Sequence, residues 1–182
     1  ISNDGTPRFP DAFVPSEELD LFLARKTASS AMVEDLSMLP IPFAAPATNL
    51  VTGKRVVMQK DCTLSQAMRA SMSVPGAFSP AKRGDDLLVD GGLVDNLPVE
   101  LAREMGADIV IAVNVGTPLS GREQLNDVVG VMSQMVNLLT EQNVTASLAS
   151  LSDRDILIRP ELKDYTSADL DKSREIIAVG EA

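Results

Sequence analysis

The sequence reads as an α/β protein, a three-layer α/β/α sandwich built on a mainly parallel sheet. Apolar strand-like runs alternate with segments of helical periodicity along most of the chain, the pattern that arises when helices cover a sheet. Residues 108–116 are nearly all β-branched and apolar, as expected of a central strand covered on both faces. Residues 43–50 and 55–59 flank Val51-Thr52-Gly53-Lys54 and form one hairpin, with Gly53 at the positive-φ position.

The remaining elements follow in order. The first fifteen residues carry Gly5, Pro7, Pro10 and Pro15 without apolar periodicity and read as an irregular segment. Ser16 caps a helix with Glu17 and Glu18 in its first turn, and Leu19, Phe22 and Leu23 form its apolar face to about Thr27. Leu39-Pro40-Ile41-Pro42 stops any helix, since each proline drives its predecessor toward extended geometry. After the hairpin, Asp61 or Thr63 caps a short helix ended by Val74-Pro75-Gly76. Its stripe of Leu64, Ala67, Met68 and Met72 reads as core rather than as cofactor contacts. Leu87-Leu88-Val89 is a compact strand running into Asp90-Gly91-Gly92, and Pro98 occupies the first helical position before residues 99–105. Residues 123–149 keep helical spacing around Gly130, and residues 155–159 form another buried strand. Ser167-Ala168-Asp169-Leu170 opens a last helix that runs to the chain end.

Composition excludes several function classes. At 182 residues, with 45% hydrophobic and 23% charged side chains, the chain fits one globular domain. Sixteen Lys and Arg against 26 Asp and Glu leave a net charge of −10, so nothing draws nucleic acid or anionic headgroups to this surface at long range. There is no histidine, which excludes a Ser-His-Asp triad or any imidazole base from these residues. The single cysteine, Cys62, excludes an internal disulfide and a Cys-based zinc cage. Asp85, Asp86, Asp90 and Asp95 lack the alternating ligand spacing of a calcium loop, and residues 116–121 match neither a Walker pattern nor a dinucleotide fingerprint. Neither a metal nor a cofactor is therefore expected. No run approaches 18 apolar residues, so no integral membrane span is expected here.

Asp90 is the residue best placed for chemistry. It ends a buried strand, where α/β folds present functional groups, and two glycines leave room beside it for another backbone or a substrate. The same three letters also suit a plain turn.

The surrounding text bears on that choice. Leu39-Pro40-Ile41-Pro42-Phe43, Ala47-Thr48-Asn49-Leu50, Gly53-Lys54, Arg69-Ala70-Ser71-Met72-Ser73-Val74-Pro75-Gly76-Ala77-Phe78 and residues 87–98 occur in order. In this the chain resembles the bacterial patatin-like phospholipases from about Ser16 to its end. The resemblance implies a lipid acyl hydrolase acting on phospholipids or other lipid esters through a serine-aspartate dyad, with the aspartate in the Asp90-Gly91-Gly92 motif. Histidine has no part in that dyad.

The sequence departs from the family pattern in one respect: neither the GxSxG nucleophile elbow nor the glycine-rich oxyanion loop occurs in these residues. Ser71 and Ser73 end a short helix rather than standing on a strand-to-helix elbow, and read as structural. With a first residue that is Ile1 rather than methionine, the expectation is that residues 1–15 join an upstream part. Residues 16–182 would then form the carboxy-terminal part of a single patatin-like domain, inactive by itself. The alternative is a non-catalytic patatin-like binding or interaction module.

Overall fold

The structure, a computed structural model, describes residues 16–116, 119, 121–162, 165 and 169–181. They belong to two compact units, Ile1–Asp95 and Asn96–Ala182.

In the first unit α1 (Ser16–Lys26) carries Glu17 and Glu18 in its first turn and Arg25 and Lys26 in its last, charges that complement the helix dipole at both ends. β1 (Ala45–Asn49) and β2 (Arg55–Met58) form the expected hairpin, and Gly53 has φ +67°. Asn49 shapes that turn as well, its Oδ1 accepting the N–H groups of Val51 and Thr52. α2 (Leu64–Ser71) is capped by Thr63, with Gln66 returning a bond to complete a capping box. Asp61 instead sits at φ +55°, outside the helix. β3 (Ala81–Arg83), β4 (Asp86–Asp90) and α3 (Gly92–Asp95) follow. α2 packs across β1 and β4, and Leu36, Ala47, Met58, Cys62, Ala70 and Leu88 meet in the core.

The α/β class stands, but strand pairing differs from the mainly parallel sheet expected. This unit holds a four-stranded sheet in the order β2-β1-β4-β3 with every neighbouring pair antiparallel. The connections set two of the three pairs. Residues 50–54 between β1 and β2 and 84–85 between β3 and β4 are too short for the crossover that a parallel pair requires; the β1–β4 pair joins the two hairpins and is not set by a short connection.

The second unit contains α4 (Val99–Glu104), β5 (Ile111–Val113), α5 (Val128–Ala149), β6 (Ile156–Ile158) and α6 (Ser173–Glu181). β5 and β6 pair in parallel, Ile111 opposite Ile156, with α5 in the connection between them. Leu97, Val99, Val110, Ala112 and Val144 form the core of this unit.

Several boundaries move. Residues 108–116 yield a strand of only three residues, and it is not covered on both faces: Ala112 is buried, whereas Ile111 is 62% and Val113 47% exposed. Alternate side chains point to opposite faces, and only the Ala112 face meets the core. The residues of β6 are likewise exposed rather than buried. Pro98 is the cap of α4 rather than its first helical residue. α5 begins at Val128 because the side chain of Asp127 accepts the N–H of Gly130 at 2.7 Å, which places Gly130 in the first turn. Residues 122–124 form a separate 3₁₀ turn. The irregular segment 1–15, Thr117, Pro118 and Ser120 of the 116–121 connection, and the Ser167-Ala168 opening of the last helix lie outside the described residues.

Asp155 organises the start of β6. Its carboxylate accepts from Arg103 Nη2 at 2.5 and 2.7 Å, from Val110 N at 2.8 Å, and from the N–H and hydroxyl of Ser152 at 2.7 and 2.8 Å. The backbone donors of Ser152 and Val110, followed by the Ser152 hydroxyl and Arg103, hold its carboxyl well below the usual carboxylate range. An acid with a lowered folded pKa stabilises fully above its unfolded value and loses that contribution as pH falls toward the folded one. Thermal melts of the protein and its Asp155→Asn variant should therefore differ most near neutral pH and converge below about pH 4. A difference that stays constant with pH would contradict this role.

Candidate active site

The position of Asp90 is built mainly from backbone contacts. It is the last residue of β4 and lies opposite Ala47 of β1. Its N–H donates to the Ser73 carbonyl at 3.0 Å, the next N–H, of Gly91, donates to the Ser71 carbonyl at 3.3 Å, and Thr48 Oγ1 donates to the Asp90 carbonyl at 2.7 Å. The end of α2 and strand β1 thus hold the main chain from two sides.

Gly91 has a reason that local sequence does not reveal. A Cβ at this position would lie 2.1 Å from the Pro46 carbonyl oxygen and 2.6 Å from its carbon. Neither Gly91 nor Gly92 is among the positive-φ residues, so Gly91 is required by the approach of β1 rather than by turn geometry. Gly92 N–H donates to Asp90 Oδ1 at 2.6 Å. α3 follows at once, and Asp95 at its end pairs with Arg55 of β2, Oδ2 to Nη1 at 2.9 Å.

The Asp90 carboxylate is half-buried, and among the described residues it makes no ion pair. Burial pushes its carboxyl up from the ordinary value of 3.8, with the Gly92 hydrogen bond opposing. Oδ1 is occupied by Gly92, and no described residue bonds to Oδ2. The result is a carboxylate of fixed orientation with raised proton affinity and one oxygen free to accept a hydrogen bond or a proton.

The other candidates take structural roles. Ser73 is fully buried, and its hydroxyl donates to the Arg69 carbonyl at 2.6 Å and accepts from the Arg69 guanidinium. Ser71 contributes its carbonyl to Gly91. Of the acidic group, Asp86 accepts from Asn49 Nδ2 at 2.7 Å and Asp95 is taken by Arg55. Among the described residues no three His, Cys, Asp or Glu side chains gather as metal ligands, and no helix is long and apolar enough to cross a membrane.

Sequence reasoning missed Thr48, Pro46 and the Arg55–Asp95 pair. Forty positions separate Arg55 from Asp95, and the Pro46 and Ser73 contributions are carbonyls, so no local spacing signals them.

This chain is similar to several known proteins. An uncharacterized NTE family protein of Mycobacterium bovis is 40% identical over 86 residues, 47% of this chain and 24% of its own length. Patatin-like phospholipase domain-containing protein 7 of Mus musculus is 31% identical over 172 residues, covering 81% of this chain and 12% of its own length. Lysophospholipase NTE1 of Debaryomyces hansenii is 34% identical over 137 residues, covering 63% of this chain and 9% of its own length. The chain thus spans about a quarter or less of each of these relatives. A family model described as patatin-like phospholipase matches residues 1–103, more than half of the chain and the whole of the unit that holds Asp90. The chain belongs to the patatin-like phospholipase family.

Proposed function

We propose that the polypeptide to which these residues belong hydrolyses acyl esters of phospholipids or similar lipids, with Asp90 as the base of a Ser-Asp dyad. The nucleophilic serine and the oxyanion donors lie outside the 182 residues, which contain no GxSxG elbow. Residues 16–182 are then the carboxy-terminal part of a single patatin-like domain, inactive alone. The observation that carries the reading is the state of Asp90: half-buried, oriented by Gly92 through Oδ1, with Oδ2 open and proton affinity raised.

These properties suit the chemistry. A carboxylate with an ordinary pKa is a weak base toward a hydroxyl, and desolvation narrows that gap. As the serine oxygen attacks the ester carbonyl, its proton passes to Asp90 Oδ2. The same proton then goes to the departing alcohol as the tetrahedral intermediate collapses to the acyl-enzyme. Water repeats the sequence in reverse, releasing the fatty acid and restoring the serine. No cofactor is required. The names of the relatives, a patatin-like phospholipase domain protein and a lysophospholipase, support a lipid ester as substrate.

Fluorophosphonate labelling tests this in the polypeptide that carries both parts. One serine should react covalently, and a phospholipid or lysophospholipid substrate should protect it, while the 182 residues alone should stay unlabelled. Absence of labelling in the whole polypeptide would favour a non-catalytic patatin-like module.

A further inference from the structure

The parallel pair in the second unit has one covered face and one open face. Alternate residues of a strand point to opposite faces. The register sets Ile111 beside Ile156 and Val113 beside Ile158, so these four side chains share a face, while Ala112 and Leu157 share the other. Ala112 packs in one core with Val99 of α4 and Val144 of α5, which puts both helices on its side of the sheet. On the opposite side Ile156 and Ile158 are 50% and 41% exposed, and Ile111 and Val113 are as open. Four β-branched aliphatic side chains thus stand together in solvent.

One edge of the pair is open as well. The Val110 carbonyl accepts from Ile156 N–H, and Asn114 N–H donates to the Ile158 carbonyl, both at 2.9 Å. Even-numbered residues of this stretch therefore face β6. Ile111 and Val113 turn their N–H and C=O groups to the other side, where no described strand pairs with β5. The two edges differ in chemistry. β6 is followed by Arg159 and Pro160, a charge and a proline of the kind that blunts an outer edge, whereas β5 carries neither. Parallel strands occur with both faces covered, and an apolar strand without a charge or proline suits an interior place in a sheet.

We propose that this open edge and face dock the serine-bearing part of the same polypeptide, which adds a strand beside β5 and lays a helix over Ile111, Val113, Ile156 and Ile158. The identity of the occupant rests on the proposed function; the demand for a strand and a cover does not. A nucleophile elbow is a strand running into a helix, the two elements this surface lacks, and the relatives have most of their length outside the match. Other occupants fit less well. A lipid surface would cover the side chains but cannot satisfy the N–H and C=O groups of Ile111 and Val113. Two copies of this chain joined edge to edge would double the open face, and two joined face to face would leave the edge unpaired.

The test is run in the polypeptide that carries both parts. Ile111→Cys and Ile156→Cys, with labelled sites located by peptide mass mapping, should react with a small maleimide about 100-fold more slowly than Val51→Cys in the exposed hairpin turn. In the unaltered polypeptide the amides of Ile111 and Val113 should exchange with solvent deuterium about 100-fold more slowly than in an unstructured peptide. Neither protection should change with protein concentration or with added phosphatidylcholine vesicles. The proposal is overturned if both cysteine variants react like Val51→Cys, or if the two amides exchange freely. Protection that grows with protein concentration, alongside a dimer mass by light scattering, would give the surface to a second copy. Protection only with vesicles would give it to lipid, and either outcome refutes the proposal. Fluorophosphonate labelling scores the catalytic reading separately: a reactive serine with both cysteine sites open refutes the docking alone, and protected sites without a reactive serine refute the dyad alone.

Discussion

Asp90→Asn should lower ester turnover of the polypeptide carrying the serine by about 10²–10⁴-fold, the usual contribution of a positioned general base, without lowering its melting temperature. Asparagine keeps an oxygen for the Gly92 N–H and removes only the charge. The stability sign follows from the raised carboxyl. For an acid whose folded pKa lies above its unfolded value, burial of the charge opposes folding at pH above the folded pKa, and that penalty disappears as pH falls through it. At neutral pH the variant therefore loses a penalty and melts at or above the temperature of the unaltered protein. The pH profile of kcat/KM should show an acid limb with its midpoint above 3.8 in the unaltered enzyme, absent from the residual activity of the variant. Undiminished turnover in Asp90→Asn would remove Asp90 from the chemistry.

Gly91→Ala should both destabilise and inactivate. The added methyl would sit 2.1 Å from the Pro46 carbonyl oxygen, a collision between two main chains that no rotamer change relieves. Overpacking of this kind costs on the order of 3 kcal/mol, a fall in melting temperature of roughly 10 °C for a domain of this size. Relief requires β1 and β4 to separate at the Ala47–Asp90 register, which also carries the Thr48 bond to Asp90, so the base would move with the backbone. Gly121→Ala is the control. A Cβ there meets nothing within 4 Å and its φ is ordinary, so its stability should stay within about 0.5 kcal/mol of the unaltered protein. Equal melting of the Gly91→Ala and Gly121→Ala variants would show that the β1 approach is not needed.

Much of the local architecture was legible in the residues themselves. Gly53 marked the hairpin because a tight connection needs a residue that tolerates positive φ, and Thr63 marked a helix start because its hydroxyl can serve an orphan N–H. Asp127 carried an equally local signal, but the apolar spacing that begins before it suggested an earlier helix start. The β-branched run at 108–116 signalled a strand but not its surroundings. Such side chains report a preference for extended backbone, and whether Ile111 is covered depends on what packs over it.

The amino-acid order alone determined most of the element types, though not strand β3 or helix α3, together with the absence of imidazole chemistry from these residues and the placement of Asp90 at the tip of a strand before two glycines. Those features depend on neighbours a few positions away, whose conformational preferences are written into adjacent residues. Only the tertiary structure decided that the larger sheet is antiparallel, that Gly91 answers to Pro46, and that Asp90 keeps one oxygen free while Gly92 holds the other. These are contacts between segments distant in the chain, several made by backbone atoms that every residue carries, so no side-chain pattern can announce them.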